Sequence, residues 1–252
     1  MSSIFNRIVN RLTKAPAHLK SSGRCPTCTV NTTFVANDSW LRDHFFCSNC
    51  GSIPRERALM RVIEDFYPHW DQLDIHESSP GSRGASTRLS TAPGYVPSQF
   101  FPEVPLGDSK DGVRCEDLRN LTFNDESFDL HITQDVMEHV FDPGSVFKEV
   151  ARTLKPGGAH MSTVPLVKGA HEESLVRAHL EDGTIVHDLE PDYHGNPIDS
   201  SGSLVVTEWG YDICQRIHEA SGLFTSVIKI DDLSQGIRAE YIEVLVTHKP
   251  AR

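Results

Sequence analysis

The 252-residue chain has no apolar run of the roughly 18 residues that a membrane-crossing helix needs. Its first residues hold neither a signal-peptide apolar region nor a small-residue cleavage site, so cytoplasmic residence is the expectation. No internal repeat and no low-complexity segment interrupts the sequence, which argues against solenoid and fibrous designs. Acid is missing from residues 1–24, which hold Arg7, Arg11, Lys14, Lys20 and Arg24. Base is scarce afterwards, where 19 basic residues face 35 acidic ones, so a net charge of −11 conceals a body of −16. An acidic body repels phosphate backbones and disfavours a nucleic-acid substrate. Cysteine is sparse too, with six in all. Four form two C-x-x-C pairs, while Cys115 and Cys214 stand alone, a pattern that fits a reducing compartment and a metal site better than a disulfide framework.

What is present is organised around residues 128–165. Phe128 to Thr133 is apolar and β-branched enough for a buried parallel strand, and polar Gln134 and Asp135 follow it. Val136 to Leu154 shifts to helical spacing, with Val136, Val140, Val146, Phe147, Val150 and Leu154 on one face. Lys155-Pro156-Gly157-Gly158 should stop that helix, and Met161 to Val164 reads as the next strand. Ligands of open α/β sheets sit beyond the carboxyl ends of strands, so residues 134–139 are expected to line a site.

Residues 25–51 carry CPTC, then 18 residues, then CSNCG. Two such knuckles present paired sulfurs for tetrahedral zinc, with Cys25, Cys28, Cys47 and Cys50 as ligands. Four thiolates leave no open coordination position, so the zinc is expected to be structural. Short strands are expected at 32–35 and 45–46, and Ser52 is placed to cap a helix with Pro54 in its first turn. Arg55 and Arg57 in that helix are candidates to reach a carboxylate or phosphate of the substrate, against the alternative of ordinary solvated or paired arginines. Upstream, Ile4, Phe5, Ile8, Val9 and Leu12 share one helical face opposite basic residues, which fits a weak contact with a membrane surface or another subunit, or packing on the chain's own domain.

The run FDL…QDVMEHV…FKEVARTLKPGG…VP resembles the second half of the class I S-adenosylmethionine-dependent methyltransferase fold, of the type-11 domain. The resemblance covers roughly residues 72–250. It implies a Rossmann-like α/β sheet, mostly parallel with an antiparallel last strand, in a domain over 57–252. Ahead of it stand an amphipathic helix in 1–20 and a zinc module at 21–56. The C-x-x-C-G-S-x-x-R-x-R run also resembles zinc-bearing methyltransferases associated with bacterial glycan metabolism.

By that resemblance, Leu73 to Glu77 is the first sheet strand, and Glu77, Ser78, Gly81 and Gly84 form the loop for the cofactor's methionine moiety. The chain departs from the family there, with serines at places where glycines are usual. Residues 95–101 should hold the second strand, with Ser98 and Gln99 in place of the usual ribose-binding acid. Asp117 and the amide of Leu118 would meet adenine, since a carboxylate only accepts hydrogen bonds and the exocyclic amine only donates them. Gln134 completes the cofactor set.

Residues 168–206 form an insertion rich in histidine and acid, with a hairpin at 178–187 and a loop from which Tyr193, His194 and Asn196 are candidates to cover the substrate. A helix over 209–221 and strands over 224–230 and 241–247 close the fold. For proton removal, His139 is the first candidate base, His194 the second, and Asp135 a further catalytic candidate. Asp135, Glu138 and His139 also resemble the D/E-x-x-E-H metal cluster of ubiquinone-type O-methyltransferases. The expected function is methyl transfer to oxygen of a small-molecule or sugar acceptor. It competes with an RNA methyltransferase docked by the zinc module and with a non-catalytic cofactor-binding scaffold.

Overall fold

The computed structural model describes residues 18–166, 172–195 and 201–251. The amphipathic stretch at 4–14 and Asn196 lie outside the described residues. The strands β1 (Leu19–Arg24), β2 (Asn31–Ala36) and β3 (Phe45–Cys47) form a small antiparallel sheet in that order. Sequence patterning locates β2 and β3 but not β1, whose Leu-Lys-Ser-Ser-Gly-Arg has almost no apolar content. Pairing with β2 makes it a strand. Phe34 and Phe45, edge to face with ring centres 6.1 Å apart, pack with the cysteines as the core of this module.

The helix Pro54–Phe66 follows, with Pro54 at its first turn. Ser52 does not cap it. The Glu56 carboxylate accepts from the Ile53 amide at 3.0 Å, while the buried Ser52 hydroxyl turns to the cysteine cluster. Ala58, Leu59, Val62 and Ile63 cover one face of the large sheet.

That sheet contains β4 (Asp74–Ser78), β5 (Gly94–Gln99), β6 (Ser109–Lys110), β7 (Val113–Cys115), β8 (Phe128–Gln134) and β9 (Leu154–Thr163). The chain then leaves it through short strands: β10 (Leu175–Val176), the hairpin β11 (Ala178–Glu181) and β12 (Thr184–His187), β13 (Tyr193–His194), β14 (Ser203–Leu204) and β15 (Thr207–Glu208). It returns with β16 (Phe224–Ile228) and β17 (Val244–His248). The order across the large sheet is β16-β17-β9-β8-β4-β5-β7-β6. β8, β4, β5, β7 and β9 run parallel, and β17 is antiparallel to both β9 and β16. From β4 the chain winds outward to β7 and then crosses back to β8 on the other side of β4. The carboxyl ends of β4 and β8 therefore flank a topological switch point, where doubly wound sheets form a ligand crevice.

The helix expected from Val136 starts later. After β8 the chain makes a 3-10 turn at Met137–His139, and the helix spans Pro143–Thr153. Asp142 caps it, its carboxylate accepting from the Ser145 amide at 3.1 Å, and Pro143 holds the first helical position. Val136 and Val140 therefore pack from a loop, whereas Val146, Phe147 and Val150 form the buried helical face against Trp209, Ile213 and Ile217. Leu154 to Gly158 falls within β9, and the expected glycine turn is a bulge in it: Gly157 has φ of 84°, and the register with β8 jumps from Leu154 opposite Phe128 to Ala159 opposite Leu130. Gly158 passes so close to β8 that a Cβ there would lie 2.7 Å from the Asp129 carbonyl oxygen. His76, His131 and His160 stand side by side in register on β4, β8 and β9, all buried.

Candidate functional site

A cavity of about 700 Å³ opens beyond the carboxyl ends of β4 and β8, at the switch point. Its inner wall is organised by Glu77. One oxygen of this fully buried carboxylate accepts from Ser86 Oγ and from the Gln134 amide, both at 2.7 Å. The other accepts from the Tyr95 hydroxyl at 2.7 Å. Ser86 Oγ in turn accepts from the Gly81 amide at 2.9 Å, so the loop 79–83 is tied to the same carboxylate. Burial raises the pKa of the Glu77 carboxyl, against the pull of its three donors. Glu77, Gly81 and Gln134 are thus brought together as expected, and Ser86 and Tyr95 are the supports that sequence reasoning missed.

Asp135 sits directly after Gln134 with φ of 52°, a left-handed conformation unusual for a non-glycine residue. Its Oδ2 accepts from Arg42 Nη2 at 2.6 Å and lies 3.1 Å from Arg55 Nε, and its Oδ1 accepts from Thr163 Oγ1 at 3.1 Å. Burial alone would raise its pKa; the charges of Arg55 and Arg42 outweigh that and hold it below the usual carboxylate range. A carboxylate so tightly paired is a poor proton acceptor, which removes Asp135 from the candidate bases. Arg55 is likewise committed, donating to Asp43 at 2.8 Å, although it still lines the cavity.

Glu138, His139 and His194 meet on the opposite side. His139 Nδ1 lies 2.8 Å from the Leu204 carbonyl. A carbonyl only accepts, so Nδ1 carries the proton and Nε2 presents a lone pair. Glu138 Oε1 is 3.9 Å from that Nε2 and 3.7 Å from His194 Nδ1, and the two imidazoles meet edge to face. Glu138 is 2 % exposed, and neither carboxylate oxygen has a hydrogen-bond partner among the described residues. Potential ligand atoms of these three residues all lie within 4.8 Å of one another. The D-x-x-E-H set is therefore corrected: Asp135 is taken up by arginines, and His194 joins Glu138 and His139 instead.

The four cysteines converge as their spacing requires. Cys25 and Cys50 Sγ are 3.9 Å apart, as are those of Cys28 and Cys47, and all four sulfurs lie within 4.8 Å of one another. Burial pushes the Cys28 thiol up to about 12. Burial also acts on Cys50, but hydrogen bonds from Ser52 and Thr27 pull its thiol down to about 6.

Several expected site residues lie elsewhere. Arg57 is fully buried, its guanidinium donating to the carbonyls of Ser52, Phe45 and Gly236, so it cannot reach a substrate. Ser98 points into the sheet, 2.8 Å from His76 Nε2, and Gln99 lines the cavity in its place. Ser78 is buried at the end of β4, while Ser79 and Pro80 line the cavity. Asp117 is clasped by Arg119 at 2.6 Å, and Leu118 joins the core beside Met137; neither lines the cavity. Gly84, with φ of 63°, packs against Glu56, whose carboxylate a Cβ would meet at 2.1 Å, and does not line the cavity. Tyr193, 55 % exposed, stands at the cavity mouth with His194. Arg42 and Tyr241 also line the cavity. No spacing could have singled out Arg42, since its partners Tyr241 and Asp135 lie 199 and 93 residues away in sequence.

The strand order, the antiparallel closing strand and the crevice at the switch point fit the Rossmann-like sheet expected of a class I S-adenosylmethionine-dependent methyltransferase. Residues 99–162 match a family model described as a methyltransferase domain. A ubiquinone biosynthesis O-methyltransferase of Coxiella burnetii is 27 % identical over 136 residues, which is 51 % of this chain and 54 % of that protein. The chain thus spans about half the length of the curated relative it matches. Among solved structures it is similar to a SAM-dependent methyltransferase of Methanosarcina mazei, at 16 % identity and a TM-score of 0.47, covering 76 % of this chain and 98 % of that one. It is also similar to the 1,6-didemethyltoxoflavin-N1-methyltransferase of Burkholderia thailandensis, at 12 % identity and a TM-score of 0.44, covering 79 % of each. No helix of the described residues is long and apolar enough to cross a membrane.

Proposed function

We propose that this protein transfers a methyl group from S-adenosylmethionine to a hydroxyl of a small-molecule or sugar acceptor, with a zinc-bearing module forming one wall of the site. The observation that carries the reading is the placement of His139. It lines the cavity at the switch point, with Nδ1 fixed as a donor to the Leu204 carbonyl and Nε2 able to accept a proton. In this reading Glu77, through Ser86 and Gln134, fixes the loop 79–83 and the end of β8 around the cofactor. His139 takes the acceptor's proton at Nε2 as the oxygen–carbon bond forms and the carbon–sulfur bond breaks, leaving S-adenosylhomocysteine. Glu138 stabilises the resulting imidazolium. Tyr193 and His194 shield the acceptor side.

Zinc fits the four cysteines. Zinc–sulfur bonds of about 2.3 Å put tetrahedral sulfurs roughly 3.8 Å apart, close to the 3.9 Å of the Cys25–Cys50 and Cys28–Cys47 pairs. Four thiolates leave the ion no catalytic position, so its contribution is to hold the module folded against the cavity.

Glu138, His139 and His194 also fit a divalent ion. The buried Glu138 carboxylate, without a hydrogen-bond partner among the described residues, favours this second reading. Bound there, such an ion would lower the pKa of an acceptor hydroxyl. Manganese titration followed by electron paramagnetic resonance separates the readings: binding that Glu138→Gln abolishes favours the ion, and no binding leaves His139 as the base.

Calorimetric titration of the zinc-loaded protein with S-adenosylhomocysteine tests the cofactor assignment, and the absence of binding would sink it. Transfer of labelled methyl groups to a panel of phenols, sugars and RNA then tests the acceptor class. Labelled RNA as the sole product would reject a small-molecule or sugar acceptor.

A further inference from the structure

Four charged side chains close a ring beside the cavity. Arg42 donates to Asp135 at 2.6 Å, Asp135 lies 3.1 Å from Arg55, Arg55 donates to Asp43 at 2.8 Å, and Asp43 lies 3.7 Å from Arg42. Three members come from the amino-terminal part of the chain, two in the short helix Leu41–His44 and one at the start of the helix Pro54–Phe66. The fourth, Asp135, terminates the sheet's β8 side of the crevice. Arg42 makes one more bond, from Nε to the Tyr241 carbonyl at 3.1 Å.

The two residues that Arg42 grips share a property. Asp135 at φ 52° and Tyr241 at φ 55° are both left-handed non-glycine residues, and both line the cavity. Backbone in that region persists only where the surroundings over-determine it. Arg42 is itself held by the cysteine module. Its helix runs straight into β3, where Phe45 is buried against both Phe34 and the Arg57 guanidinium and Cys47 is one of the four clustered thiols.

We propose that Arg42 is a positioning residue through which the cysteine module sets the backbone of the methyl-transfer site. With the four cysteines assembled, the guanidinium holds Asp135 and Tyr241 in their left-handed conformations. Asp135 then places the adjacent Gln134, whose amide supports Glu77 and Ser86. Loss of the metal frees β3 and the helix before it, the guanidinium leaves, and both strained residues relax. The site is therefore assembled only while the cysteine cluster is intact. The cofactor part of this inference rests on the reading given above; the backbone part stands on the ring alone.

Hydrogen exchange of the full-length zinc-loaded protein, read by mass spectrometry, tests it directly. Arg42→Ala is expected to speed exchange at least tenfold in peptides covering 134–136 and 241–243, while β9 and β17 exchange as before and the zinc content stays at one per chain. Chelation of the metal from the unmodified protein should speed the same two segments. Arg42→Lys keeps the charge but not the fork of donors, and should give a smaller increase. If Arg42→Ala does not fold, Asp43→Asn opens the far side of the ring and is expected to raise exchange at 134–136 with zinc retained. Unchanged exchange at both segments in folded Arg42→Ala, or in Asp43→Asn where that variant stands in, would overturn the proposal. S-adenosylhomocysteine titrations make the two inferences separable. No binding by the unmodified protein rejects the cofactor reading while the exchange result still decides the ring. Tight binding that Arg42→Ala leaves unaltered removes Arg42 from the positioning of the cofactor site.

Discussion

The Nδ1 atoms of His76 and His131 lie 2.9 Å apart inside the central sheet. One proton must sit between them, so one ring donates and the other accepts, and neither has room for a second proton there. Their other nitrogens are bound as well, His76 to Ser98 Oγ at 2.8 Å and His131 to Thr153 Oγ1 at 2.8 Å. His160, in the same row, bonds Thr133 Oγ1 at 2.9 Å. Burial holds all three imidazoles neutral, pulling His76 down to about 3, His160 down to about 4, and His131 well below its ordinary value.

Stability should therefore fall on mild acidification. The unfolded chain takes up protons on these histidines near pH 6.5, whereas the folded chain resists them until about pH 4 or below. The unfolded state binds more protons across that window, so stability is full above it and declines as pH drops through it. Each pH unit of displacement is worth about 1.4 kcal/mol per histidine, which adds up to several kcal/mol. Urea unfolding at pH 7.5, 6.0 and 5.0 checks this; a midpoint that does not move between 7.5 and 5.0 would contradict it.

Replacing Tyr95 by Phe removes one of three donors to a buried carboxylate. A hydrogen bond to a charged group contributes about 1.5–3 kcal/mol. The variant should unfold at a measurably lower urea concentration and bind S-adenosylhomocysteine more weakly, because Glu77 is the group that ties the loop 79–83 to β8. Equal stability and equal affinity would mean that the carboxylate is held sufficiently by Ser86 and Gln134.

Gly84→Ala should be more damaging than its size suggests. The position has φ of 63°, and the new methyl would meet the Glu56 carboxylate at 2.1 Å. Glu56 also caps the helix Pro54–Phe66, so its displacement exposes the Ile53 amide. A loss of about 2 kcal/mol or more is expected from strain and the broken cap together, measurable by thermal unfolding.

Zinc removal, or Cys28→Ser, should lower the unfolding midpoint by about 10 °C or more. Such modules draw much of their folding energy from the metal, and this one has only a small core of Phe34, Phe45 and the cysteines themselves. Calorimetry with and without chelator provides the comparison.

His139→Ala should reduce turnover at least tenfold, in line with the usual contribution of a general base, and leave S-adenosylhomocysteine affinity near that of the unmodified protein. Near-full turnover would reject its role as base.

β8 was legible to within one residue because apolar and β-branched residues recur where both faces are buried. The helix start was not, because apolar periodicity across Val136 and Val140 masked the stronger local signal, the Asp142-Pro143 cap. β1 escaped because pairing with β2, not its own side chains, makes it a strand. Gln134 was legible as a cavity residue from its position at a strand end, and Gly81 from the family resemblance; of Ser98 and Gln99, expected together, only Gln99 lines the cavity. In a strand one residue is the difference between facing the crevice and facing the neighbouring layer.

The sequence alone determined the sheet's character, the four-cysteine cluster and the location of the crevice, since these follow from patterns within a few dozen residues. Only the tertiary structure decided the state of each charged group. Asp135 followed a strand and carried the right chemistry for a base, yet two arginines from the amino-terminal part neutralise it. Arg57 stood in the right helix for a substrate contact, yet three backbone carbonyls enclose it. A side chain's protonation and reach depend on partners brought from distant parts of the chain, and local spacing does not encode those partners.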